Sequence, residues 1–173
     1  MGTPKVDAAR LALAALNPDV EIVPLAQRLD EHSLESLIKR SDVVLDCTDN
    51  FATRHAINRA CVRQKIPLVS GAAIRFDAQV AVFDLRKPDA PCYACLYAPD
   101  AEIEEAQCST MGVFAPLTGV VGALQAMEAT KLLAGVGATL DGRLLLLDGK
   151  LSEWRTVRVG KDPACAVCGG SSR

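Results

Sequence analysis

The chain has 173 residues, half of them apolar, and 19 Lys and Arg against 21 Asp and Glu leave a net charge of −2. That is enough material for one domain with a real core. The near-neutral balance offers no electrostatic footprint for nucleic acid or an anionic membrane, and the few aromatic residues make no base-stacking platform.

Gly2-Thr3-Pro4-Lys5 has the make-up of a helix start, with Thr3 at the N-cap and Pro4 in the first helical position. Val6, Ala9, Leu13 and Leu16 follow at helical spacing until Asn17-Pro18. Residues 20–23 read as a short strand, 34–39 as a short helix and 43–45 as a strand without polar alternation. A long helix is expected over 51–64, then short apolar strands over 67–70 and 79–83. Helices alternating with strands that are apolar on both faces predict an α/β fold. Its sheet is expected to be partial, Rossmann-like and mostly parallel, with flanking helices.

After Asp84 the pattern changes to a loop holding Cys92 and Cys95, an acidic loop around 102–105 and a long helix from Pro116. The apolar run over 115–136 approaches membrane-span length, but Gln125, Glu128 and Lys131 inside it are costly in lipid. It reads as a helix buried in a large core or a subunit interface, not as a span. Residues 144–147 and 154–159 predict a C-terminal antiparallel hairpin. The strand, glycine-rich turn and helix that open a doubly wound nucleotide domain are missing. Gly135-Val136-Gly137 follows a helix instead of a strand, and no P-loop lysine motif occurs.

Seven cysteines, an odd number behind no secretory signal pattern, fit a reducing cytoplasm with metal-binding or reactive thiols better than a disulfide framework. "PCYAC" and "PACAVC" set Cys92, Cys95, Cys165 and Cys168 in two Cys-x-x-Cys knuckles. Four thiolates suit a closed tetrahedral zinc site, which would be structural because no position stays open. Redox-active or disulfide pairs are the other reading. In "DVVLDCTDN", Asp46, Asp49 and Asn50 follow a strand at its carboxyl end, where open α/β sheets bind ligands. A carboxylate there can hold Mg²⁺ together with substrate phosphates, and an Asn beside it can bond a nucleotide. A plain turn or helix cap accounts for the same residues. Lys5 in a first helical turn opposes the helix dipole unless an anion binds there, and a solvated lysine is the other reading. Cys108 has acidic neighbours that would raise its pKa and a helix start nearby that would lower it. Cys47 and Cys61 read as ordinary buried thiols, and His32 and His55 receive no catalytic role.

Taken together, "DCTDNFATRHAIN", "PLVSGAAIRFDAQVAVF", "PCYACL", "CSTMGVFAPLTGVVGALQAMEATKLLAG" and "DPACAVCG" resemble the ubiquitin-activating-enzyme superfamily. The resemblance is to its bacterial molybdopterin-synthase and sulfur-carrier-protein adenylyltransferases, and it runs in order along nearly the whole chain. It implies use of MgATP to adenylate the C-terminal Gly-Gly carboxylate of a small ubiquitin-like sulfur carrier, in a cytoplasmic homodimer. Asp49, with Asn50 beside it, falls on the family's aspartate at the Mg²⁺ and phosphates, which leaves Asp46 to support the loop. Lys5, in "GTPK", falls on the ATP-phosphate lysine, and Cys92, Cys95, Cys165 and Cys168 on the structural zinc ligands. Cys108 falls on the cysteine with which some relatives accept the activated acyl group or sulfur.

The family's glycine-rich loop, ribose acid and phosphate arginines would lie upstream of "GTPK". The chain therefore reads as one N-terminally truncated adenylyltransferase domain over 1–173, without a rhodanese domain. The alternative is a non-catalytic, zinc-stabilised module that docks the carrier, or an inactive fragment. A nicotinamide-dependent dehydrogenase fragment explains neither the four cysteines nor "CTDN".

Overall fold

A computed structural model describes residues 2–99 and 111–170. The chain divides into two compact units, Met1–Asp30 and Glu31–Arg173. In the first, α1 spans Lys5–Leu16, and Pro4 is its N-cap, so the helix starts one residue later than expected. The Asn17 N–H closes the last turn on Leu13 O at 3.0 Å, and Asn17 Oδ1 then accepts from Asp19 N. The strand expected over 20–23 does not form. Val20 and Val23 are 56% and 69% exposed. The unit has no strand among its described residues, so an extended segment there has no ladder to complete.

The second unit opens with α2, Glu31–Ile38, and β1, Val44–Asp46. Helix α3 follows over Phe51–Gln64, the expected range. Asn50 Oδ1 caps it by accepting the Thr53 N–H at 2.8 Å, and Lys65 in a left-handed conformation ends it. Strands β2, Leu68–Ile74, and β3, Asp77–Phe83, precede the short α4, Tyr93–Leu96. Helix α5 is the long one, Ala115–Ala134, stopped by Gly135 at φ 65. Strands β4, Arg143–Asp148, and β5, Glu153–Arg158, form the expected hairpin.

The sheet order is β1-β2-β3-β4-β5. Only β1 and β2 are parallel, across α3, and every other neighbour is antiparallel. The α/β class holds, but the expected mostly parallel sheet is corrected to a mixed one. Its cause is the two-residue turn Arg75-Phe76, since a parallel return needs a crossover of a dozen residues or more. The apolar pattern hid the direction, because a strand covered on both faces is apolar throughout, but the short stretch between the expected strands over 67–70 and 79–83 already left no room for a parallel crossover.

Alternate residues of the sheet feed two cores. Leu68, Ala81, Phe83 and Leu144 pack with Ile57, Ala60 and Cys61 of α3. On the opposite face, Val69, Val80, Val82 and Leu147 pack with Leu117, Val121 and Leu132 of α5. Helix α5 crosses β2 at Gly71, where a Cβ would fall 2.4 Å from Gln125 Cδ and 2.7 Å from Val121 Cγ1. Helix α5 is not enclosed by this chain alone, because Val120, Met127 and Leu133 are exposed, so burial in the core accounts for one face only. Among the described residues, no helix is long and apolar enough to cross a membrane.

Candidate functional site

The residues after β1 are held by a network of buried polar groups. Asp46 is 1% exposed. Its Oδ1 accepts from Thr48 N at 2.9 Å and Thr48 Oγ1 at 2.7 Å, which fixes the first turn of the loop. Its Oδ2 lies 3.3 Å from Arg54 Nη1 in a buried ion pair. Arg54, from the first turns of α3, also donates to Ser70 Oγ at 3.0 Å, Gly71 O at 2.9 Å and Thr48 O. From the opposite face, Gln125 Nε2 of α5 donates to Asp46 O at 3.0 Å and Val69 O at 3.2 Å, while its Oε1 accepts from Cys47 Sγ at 3.4 Å. Two helices are thus tied to the carboxyl ends of β1 and to β2 by side chains whose hydrogen-bonding capacity is used internally.

Asp49 is different. It is exposed, with Asn50 Nδ2 at 3.4 Å from its Oδ1. The loop therefore turns one carboxylate inward as a strut and presents the other outward, beyond the end of β1 and beside the N-terminus of α3. Asp46 supports the loop as the resemblance implied. Asn50 serves as the α3 cap, and the amide nitrogen on the same side chain reaches Asp49. Lys5 is the exposed first residue of α1, in the other unit. Cys108 lies outside the described residues.

Arg54 and Gln125 were not singled out from sequence. Arg54 stood within the "DCTDNFATRHAIN" motif, and Gln125 stood out only as a polar residue in an apolar helix. A polar side chain on the buried face of such a helix was the available signal, since it must find partners. Glu128, one turn on, does the same: buried, it accepts from Leu140 N at 2.7 Å and pairs with Lys131.

The two Cys-x-x-Cys knuckles meet. The sulfurs of Cys92, Cys95, Cys165 and Cys168 all lie within 4.8 Å of one another, positioned like a metal site. The Cys92–Cys165 separation is 3.7 Å, Cys95–Cys168 3.3 Å and Cys92–Cys95 4.0 Å. A tetrahedron of sulfurs at metal–thiolate distance has edges of about 3.8 Å, so the donor set fits a small, thiophilic divalent ion. No disulfide joins the described cysteines, and the four sulfurs converge on one cluster instead of forming two separate pairs, as a shared metal requires.

Local geometry prepares the cluster. Cys95 Sγ accepts the backbone N–H groups of Cys92 and Asp162, each at 3.5 Å. The second knuckle closes with Gly169 N donating to Cys165 O at 2.8 Å. A Cβ at Gly169 would sit 2.4 Å from that same oxygen, so the knuckle requires glycine. Burial raises the Cys92 thiol to about 11. Burial also opposes ionisation of Cys165, but the backbone N–H groups of Cys168 and Val167 together with the Cys92 and Cys95 thiols outweigh it and bring that thiol to about 7.

With this fold and these two sites in view, comparison with known proteins is specific. The chain belongs to the ThiF family, which it matches over residues 1–167, and by close homology its class is adenylyltransferase. It is 46% identical over 169 residues to the molybdopterin-synthase adenylyltransferase of Salmonella typhimurium, covering 98% of this chain and 67% of that protein. It is also 46% identical over 170 residues to the sulfur carrier protein ThiS adenylyltransferase of Escherichia coli, covering 98% and 66%. Against the SAMP-activating enzyme E1 of Haloferax volcanii the identity is 42% over 171 residues, with 62% of that protein covered. Among solved structures, Escherichia coli MccB with ATP superposes with a TM-score of 0.78 at 20% identity, over 98% of this chain and 52% of MccB, a likeness of fold. The chain thus spans about two thirds of the length of the curated relatives and about half that of the solved one.

Proposed function

We propose that this chain takes part in ATP-dependent adenylation of the C-terminal Gly-Gly carboxylate of a small ubiquitin-like sulfur carrier, of the kind used in molybdopterin or thiamine synthesis. The observation that carries the reading is the divided loop, with Asp46 consumed by Arg54 and Thr48 while Asp49 faces outward. In this reaction a carboxylate oxygen of the carrier attacks the α-phosphorus of ATP. The bond from that phosphorus to the β-bridging oxygen breaks, and pyrophosphate leaves with the electron pair. The attacking carboxylate is already ionised, so no general base is needed. Alignment and charge neutralisation are the requirements.

Asp49 is assigned to the Mg²⁺ that accompanies the nucleotide. One outward carboxylate fits that ion, which takes oxygen ligands and fills its remaining positions with phosphates and water. Bound there, Mg²⁺ would neutralise phosphate charge. Arg54 and Gln125 keep the loop from collapsing onto the sheet, and Asn50 orients Asp49 through its amide. Lys5 is assigned to a phosphate on the strength of its motif and its place at a helix N-terminus. Cys108 keeps the acyl- or sulfur-acceptor role that the resemblance implies. Zinc is assigned to the four-cysteine cluster, where four protein ligands leave no position for chemistry.

An open groove of about 730 Å³ lies at the end of the sheet towards which β1 and β2 run, by the β2–β3 turn, lined by Arg75, Phe76, Met111, Phe114, Asp148 and Lys150. It is proposed as the bed for the carrier's tail. A cytoplasmic homodimer is the proposed setting. It is supported by the uncharged outer face of α5, where Val120, Met127 and Leu133 stand among glycine, alanine and threonine.

The test is the intact mass of a Gly-Gly carrier after incubation with the protein and MgATP. A gain of one AMP, with an equal amount of pyrophosphate, is expected. No gain with a carrier that still binds would favour the docking module instead.

A further inference from the structure

Asn58, two turns into α3, is fully buried. Its Oδ1 accepts the backbone N–H of Tyr93 at 2.9 Å. A backbone N–H can only donate, so the amide oxygen must face Tyr93 and the nitrogen must face the other way. On that side Nδ2 lies 3.5 Å from Cys92 Sγ. The sulfur is therefore the acceptor, a role that a thiolate fills better than a thiol. Neither contact follows from the knuckle motif, since Asn58 stands 34 residues from Cys92.

The surrounding rings extend the same joint. Tyr93 meets His55 edge-on at 5.4 Å, and Tyr97 meets Phe51 at 5.8 Å. Phe51, His55 and Asn58 follow one another at helical spacing along one face of α3. That helix begins at its cap, Asn50, and carries Arg54, which ties down the loop after β1. The knuckle and the carboxylate loop are thus fastened to one helix.

We propose that Asn58 is a positioning residue. Its amide hydrogen-bonds the metal-bound Cys92 sulfur and so registers α3, with Asn50 and Arg54, against the metal centre. The inference rests on the reading of the four-cysteine cluster as a metal site. It goes further by making metal occupancy a determinant of the loop that carries Asp49. Hydrogen-bond partners of metal ligands orient them and tune their donor strength, and losing one typically weakens metal binding about 10- to 100-fold.

The test uses Co²⁺ in place of zinc, with Asn58→Asp and Asn58→Leu. The aspartate, once ionised, keeps an oxygen for Tyr93 N–H but gives up the donor to sulfur, so its spectrum is read at alkaline pH where the band no longer shifts with pH, whereas leucine removes both at any pH. Thiolate-to-cobalt charge-transfer absorption reports the sulfur directly, because a hydrogen bond lowers the energy of its lone pairs. The band should move to longer wavelength in both variants, and each should lose metal at about 10- to 100-fold lower chelator concentration. In the unsubstituted protein, chelation should also speed hydrogen exchange of the amides over 51–58. A four-thiolate cobalt spectrum that neither substitution moves, with chelator resistance unchanged, overturns the inference and leaves the metal site standing. No tetrahedral thiolate spectrum in the unsubstituted protein overturns the metal reading, and this inference with it.

Discussion

Asp46 and Asp49 share a loop and a chemistry, yet they should answer to different measurements. Asp46 is a buried ion-pair partner of Arg54, and removing either leaves an uncompensated charge in the interior. Arg54→Ala or Asp46→Ala should each cost about 3–5 kcal/mol of stability, read from urea unfolding. Asp49→Ala, at an exposed position, should stay within about 0.5 kcal/mol. Equal destabilisation by Asp46→Ala and Asp49→Ala would show that the division of labour is wrong. His55 adds a pH dependence. It is buried with no hydrogen-bond partner for Nδ1, and burial first, then the Arg59 charge, hold its pKa below the usual histidine value. Above about pH 6.5 it is neutral whether the chain is folded or not. As pH falls through that value, the unfolded chain takes up a proton that the folded one resists. Stability should therefore decline with acidification until folded His55 also protonates. His55→Phe should flatten this part of the profile in thermal unfolding.

At the scale of elements, the close approach of α5 to β2 decides how the site is held. Gly71→Ala would push a methyl group into Gln125 and Val121, and such overpacking costs about 1–3 kcal/mol. Because Gln125 also bonds Asp46 O, the same change should loosen the loop, visible as faster hydrogen exchange over 46–50. These elements differ in how far the sequence disclosed them. Helix α3 was legible because its cap, Asn50, is a local signal, whereas its stop at a left-handed Lys65 is not one. The cysteine quartet was legible as two knuckles, but that Cys92 lies against Cys165 is set by tertiary packing. Strand direction was not legible in the apolar pattern, since Leu68–Ile74 and Asp77–Phe83 are covered on both faces, although the short connection between them excluded a parallel return. The partners of Gln125 were not legible either, because they lie 56 to 79 residues away, and those of Arg54, though within 17 residues, are set by how α3 packs on β1 and β2. The segment 20–23 carried strand-like residues, and propensity without a neighbouring strand did not make one.

For the whole molecule, the outer face of α5 is the proposed assembly surface. Met127→Glu would place a charge on an apolar surface and should convert a dimer to monomers in analytical ultracentrifugation, without loss of secondary structure. A monomer before substitution would refute the proposed interface. The central claim is that the loop after β1 serves phosphate chemistry on a carrier's carboxylate. Its most direct test is carrier-dependent ATP–pyrophosphate exchange, comparing the protein with Asp49→Ala at matched folding and metal content. The account predicts exchange that requires the Gly-Gly carrier and falls by about a hundredfold or more in the variant, as expected for loss of a group that stabilises transition-state charge. Exchange unchanged by Asp49→Ala, or absent while the carrier still binds, would contradict it.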